Sequence, residues 1–432
     1  MFSSPLISSD RQARDVATSI EQISDALSSE QVLKSIVEGL PREVIEGVRR
    51  SLSYERRELI AILDAYLNAK NGDSTSLMTR AGDDPGAFLI VARIARGWSQ
   101  KELARKLGLK EQAIQRYEAE RYRSISLSNL LRVARALSVV FSAETRNSQE
   151  HFWPPSFEES PQQVQKVLKH AREHGWIQPN SSSDDSDINQ LMRSITEHVE
   201  VHGTPSLLRT GLNVVDHSED WTLLSWKAQV SRQAKTIIGS EKLQYRPLDV
   251  SWLMELVRLS RFEDGPRRAA KLLLQHGIVL VAEGHIPGMS VDGAAFLVDG
   301  IPVIGMTLRR DYLDSFWFTL MHEVAHVILH YRTGLASGFF DDAEAPHIDE
   351  MEAEANAFAS SLLVPEEVWS RSPARITKTA EPVERLAAQL GISPTIIFGR
   401  IRMERKNYAL FSDKIGKGKV REQFFVSKRL AS

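Results

Sequence analysis

Residues Asp314 to His330 read DSFWFTLMHEVAHVILH. Apolar side chains recur through this stretch at three- and four-residue spacing, which is the period of an α-helix. Set into it are His322, Glu323 and His326. Histidines four residues apart stand one turn apart on one helical face, so both imidazoles reach a single tetrahedral ion with bonds of about 2.0–2.1 Å. Glu323 cannot join them as a ligand from the same turn without distortion, but it is placed to hold a water and take its proton as general base. His330 continues the series, yet eight residues of helix rise about 12 Å, too far to share an ion with His322. It reads as a helix C-terminal residue favoured by the macrodipole.

A catalytic zinc needs a third protein ligand, and the chain contains no cysteine, so the ligand is a His, Asp or Glu. Glu352 follows His326 by 26 residues, in MEAEANAFASSLLVP. Helical periodicity there puts Glu352, Ala355, Asn356 and Ala359 along one face, and Glu352 is the expected third ligand. Glu354, about 200° around the same helix, is its rival. Asn356 is a candidate acceptor for the second ring N–H of a ligand histidine. Tyr312 reads either as an oxyanion donor or as a packing residue. His285 and His347 read as structural or solvated.

Working outward, GIVLVAEG, AAFLVDG and IPVIGMTL between 277 and 308 are short, apolar and β-branched, so a small sheet precedes the long helix. Downstream, VERLAAQLGISPTIIFGRIRMERK reads helix, glycine turn, helix, and is expected to support the catalytic domain. The following KIGKGKVREQ is basic and glycine-broken, and a solvated surface is expected. The fold class is α+β, mainly helical with one small sheet. Residues 1–80 are expected to form a helical extension, 81–141 a separate helical domain, 142–188 a linker with one helix, and 189–432 the metal-binding domain with a basic helical tail.

Within 81–141, Ser99 is a helix cap for QKELARKL, Gly108 a tight turn, and KEQAIQRYE a second helix. Leu103, Ala104, Leu107, Leu109 and Ile114 then form the seam of a helix-turn-helix. Lys110, Glu111, Gln112, Gln115 and Arg116 face outward, where amide and guanidinium groups suit base edges in a major groove. Gln100, at the start of the first helix, is placed to touch phosphate. Residues 85–141 carry 11 Lys and Arg against 4 Glu, although the whole chain has a net charge of −2. Overall charge therefore argues against a protein that coats nucleic acid generally, and the local balance suits one DNA-reading domain. The longest apolar runs fall short of the roughly 20 residues that span a bilayer, and the start lacks a leader pattern, so a cytoplasmic protein off the membrane is expected.

The stretch from SQKELA to IQRYE resembles the lambda-repressor-like, or XRE-type, helix-turn-helix family over about 55 residues. That resemblance implies a five-helix DNA-binding domain, usually a homodimer on a palindromic double-stranded DNA operator. FWFTLMHEVAHVILH, EAEANAFASSLLVP and ISPTIIFGRI, in that order, resemble the ImmA/IrrE metallopeptidases across roughly 220–425. The resemblance implies a zincin-like fold with Zn2+ held by His322, His326 and Glu352, and Glu323 as base. It further implies cleavage of partner repressors and pairing with toxin–antitoxin modules, and the expected target here is the chain itself or a partner regulator or toxin, in stress, phage-defence or toxin–antitoxin settings. The alternative function is a non-proteolytic transcriptional regulator whose zinc domain senses a signal or binds a partner.

Overall fold

The computed structural model describes residues 6–29, 33, 36–82, 84–122, 125–141, 161–177, 184–202, 221–289, 291–331, 335 and 348–425. The chain divides into two compact units, one of residues 1–33 and 52–151, the other of residues 34–51 and 152–432. Of the first 80 residues, 34–51 fall in the second unit and 1–33 and 52–80 in the first.

Among the described residues the first unit holds α1 (Asp10–Ser28), the C-terminal part of α2 (Arg42–Lys70), α3 (Thr75–Ala81), α4 (Pro85–Ala95), α5 (Gln100–Leu107), α6 (Glu111–Ala119) and α7 (Leu127–Ala136). Asp84 starts α4 by accepting from the backbone N–H of Gly86 and Ala87, with Pro85 at the first position. The sequence that follows has no polar face. Gly86, Ala87 and Leu89 to Ile94 are buried, and α4 forms the middle of a core with Leu103, Leu107, Ile114 and Val133. Ser99 and Glu102 close a reciprocal capping box on α5, and Gly108 ends that helix in the left-handed conformation, φ 64°. Leu103, Ala104, Leu107 and Ile114 are buried and Leu109 packs at the margin, as the helix-turn-helix seam requires.

One charge lies inside this core. Arg93 of α4 donates from Nε to Glu118 Oε1 at 2.6 Å and from Nη2 to Oε2 at 2.8 Å, tying α4 to α6. Nη1 and Nη2 also donate to the carbonyls of Trp98 and Ser8, so all three nitrogens of the buried guanidinium are hydrogen-bonded.

The second unit adds α8 (Pro161–Glu173), α9 (Asp184–His202), α10 (Trp221–Ser240), α11 (Leu253–Arg258), α12 (Gly265–Gln275), β1 (Val279–Ala282), β2 (Gly293–Val298), β3 (Ile301–Met306) and α13 (Leu313–Leu329). It continues with α14 (Ile348–Leu363), α15 (Glu366–Trp369), α16 (Glu381–Leu390), α17 (Pro394–Glu404) and α18 (Arg421–Phe425). The strand order is β1-β3-β2, with β1 parallel and β2 antiparallel to the central β3. Asp299 and Gly300, both at positive φ, make the two-residue turn between β2 and β3.

Two glycines let helices approach this sheet closely. A Cβ on Gly305 would stand 2.7 Å from the Trp226 ring of α10. A Cβ on Gly293 would stand 2.9 Å from Glu323 Oε1 of α13. Gly293 pairs with Met306, next to Gly305, so the two glycines point to opposite faces and the sheet is covered by α10 on one side and α13 on the other. The 414–421 stretch, expected to be solvated, is docked instead. Leu313 N–H donates to Ile415 O at 3.1 Å and Val420 N–H to Asp311 Oδ1 at 2.9 Å, with Ile415 and Val420 buried while Lys414, Lys417 and Lys419 stay exposed. Ile415 and Val420, beside the lysines, bury apolar surface and help to anchor the segment at the start of α13. Among the described residues no helix is long and apolar enough to cross a membrane.

Candidate metal centre and nucleic-acid interface

Helix α13 is apolar nearly all round and buried from Leu320 to Leu329, so its polar side chains are fixed by their surroundings. His322 Nε2 and His326 Nε2 stand 3.1 Å apart. Helix α14 brings Glu352 to both, Oε2 at 3.3 Å from His322 Nε2 and Oε1 at 3.2 Å from His326 Nε2. Among the described residues, these three form the cluster of donor side chains close enough to hold a metal ion, with ligand atoms within 4.8 Å of one another. Nitrogens sharing one tetrahedral ion with bonds of about 2.0–2.1 Å stand about 3.3 Å apart, so the observed spacing fits. Glu352 Oε2 is buried and makes no hydrogen bond among the described residues, which leaves a lone pair for an ion. Burial acts to raise the Glu352 carboxyl, but the two imidazoles outweigh it and hold it below the usual carboxylate range. Two imidazoles and a carboxylate are a donor set of the zinc type.

Glu354 points elsewhere. Its Oε2 lies 3.3 Å from His330 Nε2, and this contact holds its carboxyl below the ordinary value. His330 Nδ1 in turn lies 3.1 Å from His326 Nδ1, and burial pushes the His330 imidazole toward its neutral form. Histidine 330 is thus more than a helix end: it faces the outer nitrogen of His326. His285 stands outside the cluster, and His347 lies outside the described residues.

Glu323 is buried with its carboxylate against Gly293. With His322 it lines a cavity of about 390 Å³ whose other walls include Phe318, Leu363, Ile396, Met403 and Tyr408. Tyr312, read either as an oxyanion donor or as a packing residue, does not line it. Its backbone bridges to Lys417, whose ammonium lies 5.9 Å from its ring centre, so Tyr312 packs against the docked tail and Tyr408 is the cavity tyrosine. Lys227 of α10 also bears on Glu323. Its ammonium lies 4.9 Å from the Phe296 ring centre, and burial brings it down to about 8 while the Glu323 charge works in the opposite direction. A lysine in the run LLSWKAQV gave no signal beyond its apolar surroundings.

In the first unit, Lys110, Glu111, Gln112, Gln115 and Arg116 are all exposed at the start of α6, where a recognition helix presents its N-terminal residues. Gln115 Nε2 donates to Glu111 Oε1 at 3.3 Å. Gln100 is partly buried. Its amide turns inward and donates to Glu118 Oε2 at 2.8 Å, because the buried Arg93–Glu118 pair offers it an ionised acceptor.

Residues 89–139 match the helix-turn-helix family, and residues 275–401 match the IrrE N-terminal-like domain, a peptidase family. No curated protein and no solved structure was found to be similar. The chain therefore combines an XRE-type helix-turn-helix DNA-binding domain with an IrrE-like metallopeptidase-family domain.

Proposed function

We propose that this chain is a DNA-binding regulator carrying a zinc-dependent endopeptidase site, which cuts either the chain itself or a partner regulator and so changes gene expression. The observation that carries this reading is the convergence of His322, His326 and Glu352 on one point, with Glu323 on the wall of an adjoining cavity. His322, His326 and Glu352 would hold the ion, which when bound would supply Lewis acidity. Glu323 takes the proton from water and delivers it to the departing amine. The cavity beside it gives room for substrate side chains.

The outward residues of α6, Lys110, Glu111, Gln112, Gln115 and Arg116, meet base edges in the major groove, with the protein binding its operator as a homodimer. Operator affinity falls steeply with salt as phosphate contacts release counterions.

The test is intact-mass analysis of wild type and Glu323→Gln, expressed in cells with and without DNA damage, with co-purifying proteins included. Fragments in the wild type that vanish in Glu323→Gln, while both retain zinc, are the expected result; loss of a general base typically lowers rates about 10²–10⁴-fold. Identical masses with zinc in both would replace this reading by that of a metal-stabilised regulator.

A further inference from the structure

Residues 34–51 lie outside both family matches, yet they cluster with the metal-binding unit. Three contacts place the N-terminal part of α2 against the metal helices. A Cβ on Gly47 would meet Leu329 at 3.5 Å and Phe358 at 3.8 Å, ordinary van der Waals contact. Ser51 Oγ donates to Leu329 O at 2.9 Å and Ile328 O at 3.3 Å, satisfying carbonyls that the end of α13 leaves without helical partners. Arg50 Nε stands 3.3 Å from Glu354 Oε1.

From Arg50 a single line of polar contacts runs inward: Glu354 Oε2 to His330 Nε2 at 3.3 Å, then His330 Nδ1 to His326 Nδ1 at 3.1 Å. Proton positions along it are set by chemistry. For His326 to present a lone pair at Nε2, its proton must sit on Nδ1, so Nδ1 donates to His330. A neutral His330 that accepts at Nδ1 carries its proton on Nε2 and donates to Glu354. Glu354 then needs its charge balanced, and Arg50 stands beside it. Each link has one donor and one acceptor, so only one arrangement satisfies the whole line.

We propose that Arg50, Glu354 and His330 are positioning residues for His326, so that a helix segment some 300 residues upstream in the sequence completes the metal centre. The inference rests on His326 being a ligand. Outer partners of ligand histidines typically contribute about 10- to 100-fold in metal affinity. The inner links should show that full effect. Arg50, whose side chain is 64% exposed, should contribute less, about 2- to 5-fold, as exposed ion pairs do.

Zinc affinity measured by chelator competition on the full chain, together with the cobalt(II) absorption spectrum, tests this. Glu354→Ala and His330→Phe are expected to weaken zinc about 10- to 100-fold and alter the cobalt spectrum, while thermal midpoints of the metal-free proteins stay near that of wild type. Glu354→Gln, which still accepts from His330, should recover most of the affinity. Arg50→Ala should lose about 2- to 5-fold, Arg50→Lys should match wild type, and Arg50→Ala should add nothing on a Glu354→Ala background, since the links act in series. Variants that all bind zinc as wild type does would overturn the proposal, as would an Arg50 effect that persists without Glu354. A wild type that binds no zinc would sink the metal reading itself, and the positioning role with it.

Discussion

Arg93 and Glu118 in the first unit, and His322, His326 and Glu352 in the second, are all largely hidden from water, but their hydrogen bonding differs. The guanidinium and carboxylate of the first pair use their donors and lone pairs on each other and on nearby backbone and amide groups. The donors of the second group aim at one another, with a Glu352 oxygen left without a hydrogen bond among the described residues. Buried polar groups that close on themselves hold helices together. Groups whose lone pairs converge and stay open are arranged for something that is not part of the chain.

The largest expected effect tests the closed side of this comparison. Arg93→Met leaves Glu118 buried and uncompensated and should destabilise the first unit by about 3–5 kcal/mol, whereas Arg93→Met combined with Glu118→Leu should recover much of that loss. Denaturant melts of the two variants decide it; equal losses would mean that the pair is not a closed unit.

Lys227 sharpens the open side, as a buried lysine that bears on Glu323. Its folded pKa of about 8 lies below its ordinary 10.5, so between these values the unfolded chain holds the extra proton and stability rises with pH. Below the lower value the penalty is fully present. Lys227→Met should therefore stabilise the metal-free second unit at pH 7 by something of the order of 2 kcal/mol, with the advantage shrinking toward pH 10. A variant less stable than wild type at pH 7 would show that the Glu323 charge outweighs burial.

The smallest effect concerns the helix-turn-helix itself. Ser99→Ala removes the acceptor for Glu102 N–H and should cost about 1 kcal/mol in thermal unfolding of the first unit, without changing which operator is bound. A change in operator preference would mean that the cap sets the recognition helix as well as starting α5.

What could be read from residues alone follows from the range of the interaction. The cap at Ser99, the turn at Gly108 and the two histidines one turn apart are local, and they stand in the structure where periodicity puts them. The three strands are equally local, each a short apolar run. Partners far apart in sequence were not legible. Nothing in the apolar run around Arg93 names Glu118 as its counter-ion, or Gln100 as a further donor to that carboxylate. Nothing in the N-terminal helices pointed to Glu354, and a glutamate set about 200° away from Glu352 looked like a rival ligand until His330 and Arg50 were seen to take it. The basic tail misled for another reason: its composition is that of a solvated segment, and two buried aliphatic side chains override it.

The central claim is that the open cluster is a metal centre with Glu352 as its third ligand. Native mass spectrometry of wild type, Glu352→Ala and Glu354→Ala at saturating zinc tests it most directly. The account predicts one zinc per chain in wild type and in Glu354→Ala, and none in Glu352→Ala; zinc absent from the wild type, or kept by Glu352→Ala and lost by Glu354→Ala, would contradict it.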